Sequence, residues 1–268
     1  AAAAAAAAPP LVGVVTASSI SGLACLEGLL ARGPHVRPPR AICRTLEKEA
    51  VVRYRLGEDV PLEFFQGASA TDARTMARAF EGVSRLFLVT PHAAGRGQLA
   101  RNMLRAAAEA GVERVVLVSS WSGGQDKPLF REDFTATEEL CLELFPGRAA
   151  VLRPSFPFTR LIHQAREVRV RGRISLPLEA STRMAACDPE DIGHCAAALL
   201  SMPDEAFPGE CGDVIHVTGP ESLSCEDIAQ AFSDVLARPI TFNSSSLDAA
   251  VRSMREAGLP EWLTDFFV

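Results

Sequence analysis

The sequence predicts an α/β fold: a doubly wound parallel sheet with a small C-terminal α/β lobe. Two patterns and one total carry that expectation. Short apolar runs alternate with amphipathic segments at the spacing of strand–helix–strand units. The first run, Leu11-Val-Gly-Val-Val15, stops at the small residues Thr16-Ala-Ser-Ser-Ile-Ser-Gly22 and passes into a leucine-periodic segment. The 268 residues are 48% hydrophobic and 22% charged, which suffices for a substantial core in an ordinary globular chain.

The elements follow in order. Leu23, Leu26, Leu29 and Leu30 share helical spacing after the first strand. Arg40-Ala-Ile-Cys-Arg44 is a second strand and Leu62-Glu-Phe-Phe-Gln-Gly67 a third, after which Thr71-Asp72 caps a helix reaching to about Glu81. Val83 to Pro91 is a fourth strand, halted by proline. A helix carrying Leu99, Met103, Leu104 and Ala107 ends at Gly111, and Val112 to Ser120 is the fifth strand. A helix from Arg131 to Leu144 precedes a sixth strand, Arg148 to Pro154. Strands and helices alternating in this way imply parallel pairing with right-handed crossovers. Beyond Pro154 the rhythm weakens to a basic segment (Arg160 to Arg173), helices at 188–200, 225–236 and 244–258, and a strand at 213–217. Residues 11–154 therefore read as a dinucleotide-binding domain and 155–268 as a substrate-binding lobe with segments packing back on the sheet. Residues 1–10, oligo-alanine then two prolines, read as a tag, artefact or disordered segment.

A net charge of −6 gives no general attraction to nucleic acid or to an anionic membrane. No apolar run approaches the roughly 20 residues that span a bilayer. The seven cysteines are odd in number, widely spread and without a C-x-x-C pair, which fits free thiols in a reducing, cytoplasmic setting.

The first strand–turn–helix is the place where a Rossmann-type fold binds pyrophosphate. Glycines at fixed spacing let the backbone approach the phosphates while helix N–H groups point at them. Here the three glycine positions are held by Thr16, Ser19 and Gly22, with Ser18 and Ile20 in the same turn. The two substituted positions bring hydroxyls that can bond an anion, but each Cβ narrows the approach. At the end of the second strand an acidic residue would bind a ribose 2′-hydroxyl, whereas Arg44 suits a 2′-phosphate. That favours NADPH over NADH; the alternatives are a solvated arginine at Arg44 and, given the lost glycines, no cofactor at all.

The ordered series Thr16-x-x-Ser19-x-x-Gly22, Ala41-Ile-Cys-Arg44, Gly67-Ala-Ser-Ala-Thr-Asp72, Leu86-Phe-Leu-Val-Thr-Pro91, Ala106 to Ser120, Ala136-Thr-Glu-Glu-Leu140, Val151-Leu-Arg-Pro154, Asp188-Pro-Glu-Asp-Ile192 and Val217-Thr-Gly-Pro220 resembles the NmrA-like atypical short-chain dehydrogenases. That resemblance implies a group holding NAD(P)H-dependent quinone and triphenylmethane-dye reductases as well as cofactor-sensing regulators that do no chemistry. It implies that Thr16 to Gly22 face the pyrophosphate, Arg44 the 2′-phosphate, and Val89, Thr90 and Pro91 the middle of the cofactor. Ser119, Ser120 and Pro154 would border the nicotinamide. Phe134 stands where the dye and quinone reductases tend to carry a histidine.

Ordinary short-chain dehydrogenases use a tyrosine with a lysine four residues later. This chain has one tyrosine, Tyr54, far from the fifth strand, and no Y-x-x-x-K. A hydride can still pass to a quinone, enone or iminium if the site aligns donor and acceptor. The catalytic candidates are Ser120, a strand-end hydroxyl; Lys127, a loop cation able to offset developing negative charge; and His92, beside Pro91. Each has an ordinary alternative, as a turn cap or a solvated loop residue. The reading is an NADPH-dependent reductase of a small-molecule acceptor, with a non-catalytic sensor or scaffold as its rival. A homodimer or a regulatory protein partner stays open, while nucleic acid and membrane do not fit.

Overall fold

The computed structural model describes residues 9–32, 37–90, 92–121, 131–208, 213–256 and 258–264. The chain forms two compact units, one comprising residues 1–154 with 189–217 and the other 155–188 with 218–268.

The first unit is built on a seven-stranded sheet. Its strands are β1 (Val12–Val15), β2 (Arg40–Cys43), β3 (Glu63–Gln66), β4 (Arg85–Val89), β5 (Arg114–Val118), β6 (Ala149–Pro154) and β9 (Val214–Val217). They lie in the order β3-β2-β1-β4-β5-β6-β9, and every pairing is parallel. The order reverses between β1 and β4, the switch point outside which ligands bind in open α/β sheets. Helices α1 (Ile20–Leu30), α2 (Leu46–Leu56), α3 (Ala73–Phe80), α4 (Arg96–Glu109), α5 (Ala136–Leu144) and α7 (Pro189–Ser201) belong to this unit. It is a Rossmann-type doubly wound fold.

Two cores form because successive strand residues point to opposite faces. Val116 and Val118 of β5 join Leu26 and Leu29 of α1 and Ile192 and Leu200 of α7. Val115 and Leu117 join Met76 of α3, Leu104 of α4 and Cys141 of α5. Helix starts follow side-chain chemistry: Thr45 accepts from Lys48 N, and Asp72 from Arg74 N at 2.9 Å. The segment expected as one helix over 131–144 begins as a π turn at Arg131–Thr135 before α5.

The returning segment 189–217 joins the sheet through β9 and is held to the rest of the unit at two further places. Gly193 of α7 lies so close to α1 that a Cβ there would stand 2.3 Å from Ser21 O. At the last turn of α7 and just beyond it, Arg114 donates to Leu199 O and Met202 O at 3.1 and 2.8 Å and pairs with Asp204, while Arg85 donates to Leu200 O at 2.6 Å. Burial, with the nearby Arg85 charge adding to it, brings the Arg114 pKa down to about 10.

The second unit holds two short ladders. One pairs β7 (Arg173–Leu176) with β11 (Thr241–Ser244) in parallel, and the other pairs β8 (Arg183–Met184) with β10 (Leu223–Ser224). The unit also carries α6 (Ala165–Arg171) and α8 (Cys225–Leu236), the latter opened by a reciprocal Ser224–Asp227 capping box. The helix expected over 244–258 is present as α9, Leu247–Glu256; it starts later because β11 ends at Ser244 and Ser246 Oγ accepts from Ala249 N at 3.2 Å. A short α10 (Glu261–Thr264) follows. No helix among the described residues is long and apolar enough to cross a membrane. The six described cysteines form no disulfide, and Cys211 lies outside the described residues.

Candidate functional site

Because the strands are parallel, every carboxyl end faces the same edge of the first unit, and nearly all the sequence-predicted site residues fall there. Arg44 follows β2, Thr16 to Gly22 follow β1, Val89 closes β4 with Thr90 next, Ser119 and Ser120 follow β5, and Pro154 closes β6. In sheet order these strands are β2, β1, β4, β5 and β6, so four spacings of about 4.8 Å set the outer two roughly 19 Å apart. His92 is exposed just past β4. Pro91 and Lys127 lie outside the described residues.

The β1 turn keeps the shape that glycines usually provide. Thr16 has φ 54°, a left-handed conformation that a β-branched residue rarely adopts. Its hydroxyl turns back onto Val15 O at 2.7 Å, so it is not aimed outward at an anion as the sequence had suggested. Ser19 N donates to Thr16 O at 2.8 Å, closing the turn. The Ser19 side chain caps α1 by accepting from Gly22 N at 3.0 Å, which leaves its own hydrogen available. Gly22 is indispensable for packing: a Cβ there would lie 2.5 Å from Thr16 O. Ile20 and Ser21, at the first two positions of α1, have N–H groups with no acceptor inside the helix.

At the β2 end Arg44 is exposed and has no side-chain partner among the described residues. Lys48, one turn into α2, is exposed on the same rim, a cation that sequence reading passed over. Beneath them Glu49 is engaged by Arg53 at 2.8 Å and by Gln66. Burial, reinforced by Glu49, pushes the Cys43 thiol up to about 11.

The β5 and β6 ends are held together beyond the ladder. Ser119 N donates to Leu152 O at 2.8 Å and Trp121 N to Pro154 O at 3.1 Å. Thr90 Oγ1 reaches to 3.5 Å from Val118 O. Under this edge lies a cluster the sequence did not reveal. Glu138 of α5, 3% exposed, accepts from the Ser119 hydroxyl and, in a two-point grip, from Arg153 Nε at 3.1 Å and Nη2 at 2.5 Å. Those hydrogen bonds raise the Arg153 pKa against the opposing effect of burial. Burial and the Glu138 charge push the Cys141 thiol up to about 12. One signal for Glu138 was available: it stands four residues after Phe134, the spacing of the missing Tyr-Lys pair. Phe134 itself is buried, with Arg96 4.7 Å from its ring centre.

These features fit a dinucleotide: a helix N-terminus at the switch point, a cationic rim at the second strand, and polar side chains at the far end. Comparison with known proteins agrees. Residues 17–141 match an NAD(P)H-binding family model. An NAD(P)H azoreductase from Xenophilus azovorans is 27% identical over 197 residues, covering 72% of this chain and 66% of that protein, just under two thirds of its length. The fold is shared with an NADPH-dependent quinone oxidoreductase from Escherichia coli complexed with NADPH (TM-score 0.78, 19% identity, 96% of this chain and 86% of that one). It is shared equally with the triphenylmethane reductase of Citrobacter sp. complexed with NADP(H) (TM-score 0.76, 18% identity, 96% and 87%). The family model and the azoreductase carry a likeness to NAD(P)H-binding proteins, and the two solved structures carry the fold.

Proposed function

We propose that the chain binds NADPH along the carboxyl edge of its seven-stranded sheet and reduces a small conjugated acceptor by hydride transfer. The observation that carries the reading is Arg44, an exposed guanidinium without a partner among the described residues, at the strand end where a 2′-phosphate lies in this fold. Arg44, with Lys48 beside it, holds that phosphate. The Ile20 and Ser21 N–H groups and the Ser19 hydroxyl receive the pyrophosphate at the positive end of α1. Val89 and Thr90 flank the middle of the dinucleotide, with Pro91 next in the chain; Ser120 and His92 stand at the reacting end, where Pro154 forms a wall and Lys127 is a further candidate.

When bound, NADPH supplies the hydride. The protein's part is alignment and the handling of charge on the acceptor, because no tyrosine is available as acid: Tyr54 sits on α2, 86% exposed. The names of the azoreductase, quinone and triphenylmethane relatives support a quinone, enone, iminium or azo group as the acceptor.

Calorimetric titration of NADPH and NADH tests the reading. The wild type should prefer NADPH, and Arg44→Ala should erase that preference by weakening NADPH roughly 10- to 100-fold, the worth of a charge-assisted phosphate contact. Failure to bind either nucleotide, or a preference that survives Arg44→Ala, overturns it. Tight binding without turnover of any acceptor would shift the assignment to a cofactor-sensing protein.

A further inference from the structure

We propose that Glu138 and Arg153 are a positioning pair that makes the Ser119 hydroxyl a hydrogen-bond acceptor for the amide N–H₂ of the nicotinamide. The inference rests on the NADPH reading above, and it assigns different hydrogen-bonding roles to the two serines at the end of β5.

The argument is an account of hydrogens. Arg153 is a permanent cation with a planar fork of donors, and it grips both carboxylate oxygens of Glu138 at 3.1 and 2.5 Å. So held, Glu138 is a carboxylate that can only accept. In the Ser119–Glu138 bond the serine must therefore be the donor. A serine hydroxyl has one hydrogen and two lone pairs. The main-chain N–H of Ser119 is also engaged, by Leu152 O at 2.8 Å. Both donors of Ser119 are thus committed inside the protein, and its remaining capacity is to accept.

That excludes the role a strand-end serine would ordinarily be given. Ser119 cannot donate to a quinone oxygen or to negative charge growing on an acceptor, so that task falls to Ser120 or His92. What Ser119 complements is a ligand N–H or O–H. It lies one residue past β5, two strands from β1 across the switch point and on the opposite side from Arg44, where the nicotinamide end of a dinucleotide anchored by Arg44 comes to rest. The nicotinamide carboxamide carries such donors. A carbonyl alone does not.

The test uses the full chain and two oxidised nucleotides, NADP and its 3-acetylpyridine analogue, in which a methyl group replaces the amide nitrogen. The carbonyl survives in the analogue while the N–H donors are gone. Calorimetry should show the wild type binding NADP about tenfold more tightly than the analogue, the size of one net hydrogen bond. Ser119→Ala should collapse the ratio to near unity, and Ser119→Thr, which keeps the hydroxyl, should restore it. Glu138→Gln should narrow it, because a glutamine amide that donates to Ser119 frees the serine hydrogen to bond the carbonyl that both nucleotides share. A role in packing alone would weaken both nucleotides by the same factor. Equal wild-type affinities, or a ratio unchanged in both Ser119→Ala and Glu138→Gln, overturns the proposal while leaving the NADPH reading intact. Binding of neither nucleotide overturns both.

Discussion

At the β1 end of the carboxyl edge the geometry is made by the main chain, and at the β5–β6 end it is made by side chains. Around Thr16 the important contacts span at most a few residues: Thr16 O receives Ser19 N, and Ser19 caps α1 through Gly22 N. Around Glu138 they join Ser119, 19 residues before it, to Arg153, 15 residues after it. A backbone site depends on dihedral angles and on room for approach, so single atoms decide it. A side-chain site depends on burial and charge pairing, so it tolerates conservative exchange and fails when one partner is removed.

Substitutions can break that contrast or sharpen it. The largest effect is expected at Gly22. An alanine there places Cβ 2.5 Å from a main-chain oxygen that cannot move without reopening the turn. Gly22→Ala should cost about 3 kcal/mol or more in urea unfolding, and a loss below about 1 kcal/mol would show that the turn is softer than its geometry implies. The reverse exchange is milder. Thr16 holds a strained positive φ, and glycine relieves that strain while losing the bond to Val15 O and gaining freedom in the unfolded chain. Thr16→Gly should therefore stabilise by about 1 kcal/mol, read as a raised melting temperature. An unchanged or lowered melting point would mean the hydroxyl bond outweighs the strain.

The smallest effect separates buried from open carboxylates. Glu63 has the same kind of partners as Glu138, receiving Arg40 at 2.9 Å and Arg37 at 2.8 Å, but it lies at an open edge strand. Burial alone would raise its pKa, yet the Arg40 and Arg37 hydrogen bonds and charges hold it below the usual carboxylate range. A carboxyl lowered in the folded state adds stability above its unfolded value and loses it as pH falls through the folded one. Glu63→Gln should thus cost well under 1 kcal/mol near neutrality, solvent screening the pair, and progressively less as pH falls through the lowered folded pKa. A deficit that persisted in acid would assign the effect to packing instead of charge.

Much of the architecture was legible because it rests on local periodicity. The alternation of apolar runs with leucine-spaced segments located the strands of the main sheet, and Asp72 marked a helix start by its own chemistry. Legibility failed where no local pattern exists. The ladder partner Thr241–Ser244 is a polar strand whose pairing with Arg173–Leu176 is wholly non-local. The fate of the Thr16 and Ser19 hydroxyls was equally hidden, since the residue type announces a hydroxyl but not the atom it will bond.

The sequence by itself determined the parallel α/β order, the strand–turn–helix at Thr16 to Gly22 and the cation Arg44 at the second strand end. Each follows from the spacing of residues close together in the chain, through the fixed repeats of strand and helix. The return of later segments to the sheet was expected, but only the tertiary structure decided that 189–217 is the one that returns and that a buried carboxylate stands between Ser119 and Arg153. Those outcomes come from which side chains burial brings within reach, a property of the packed chain that no local spacing encodes.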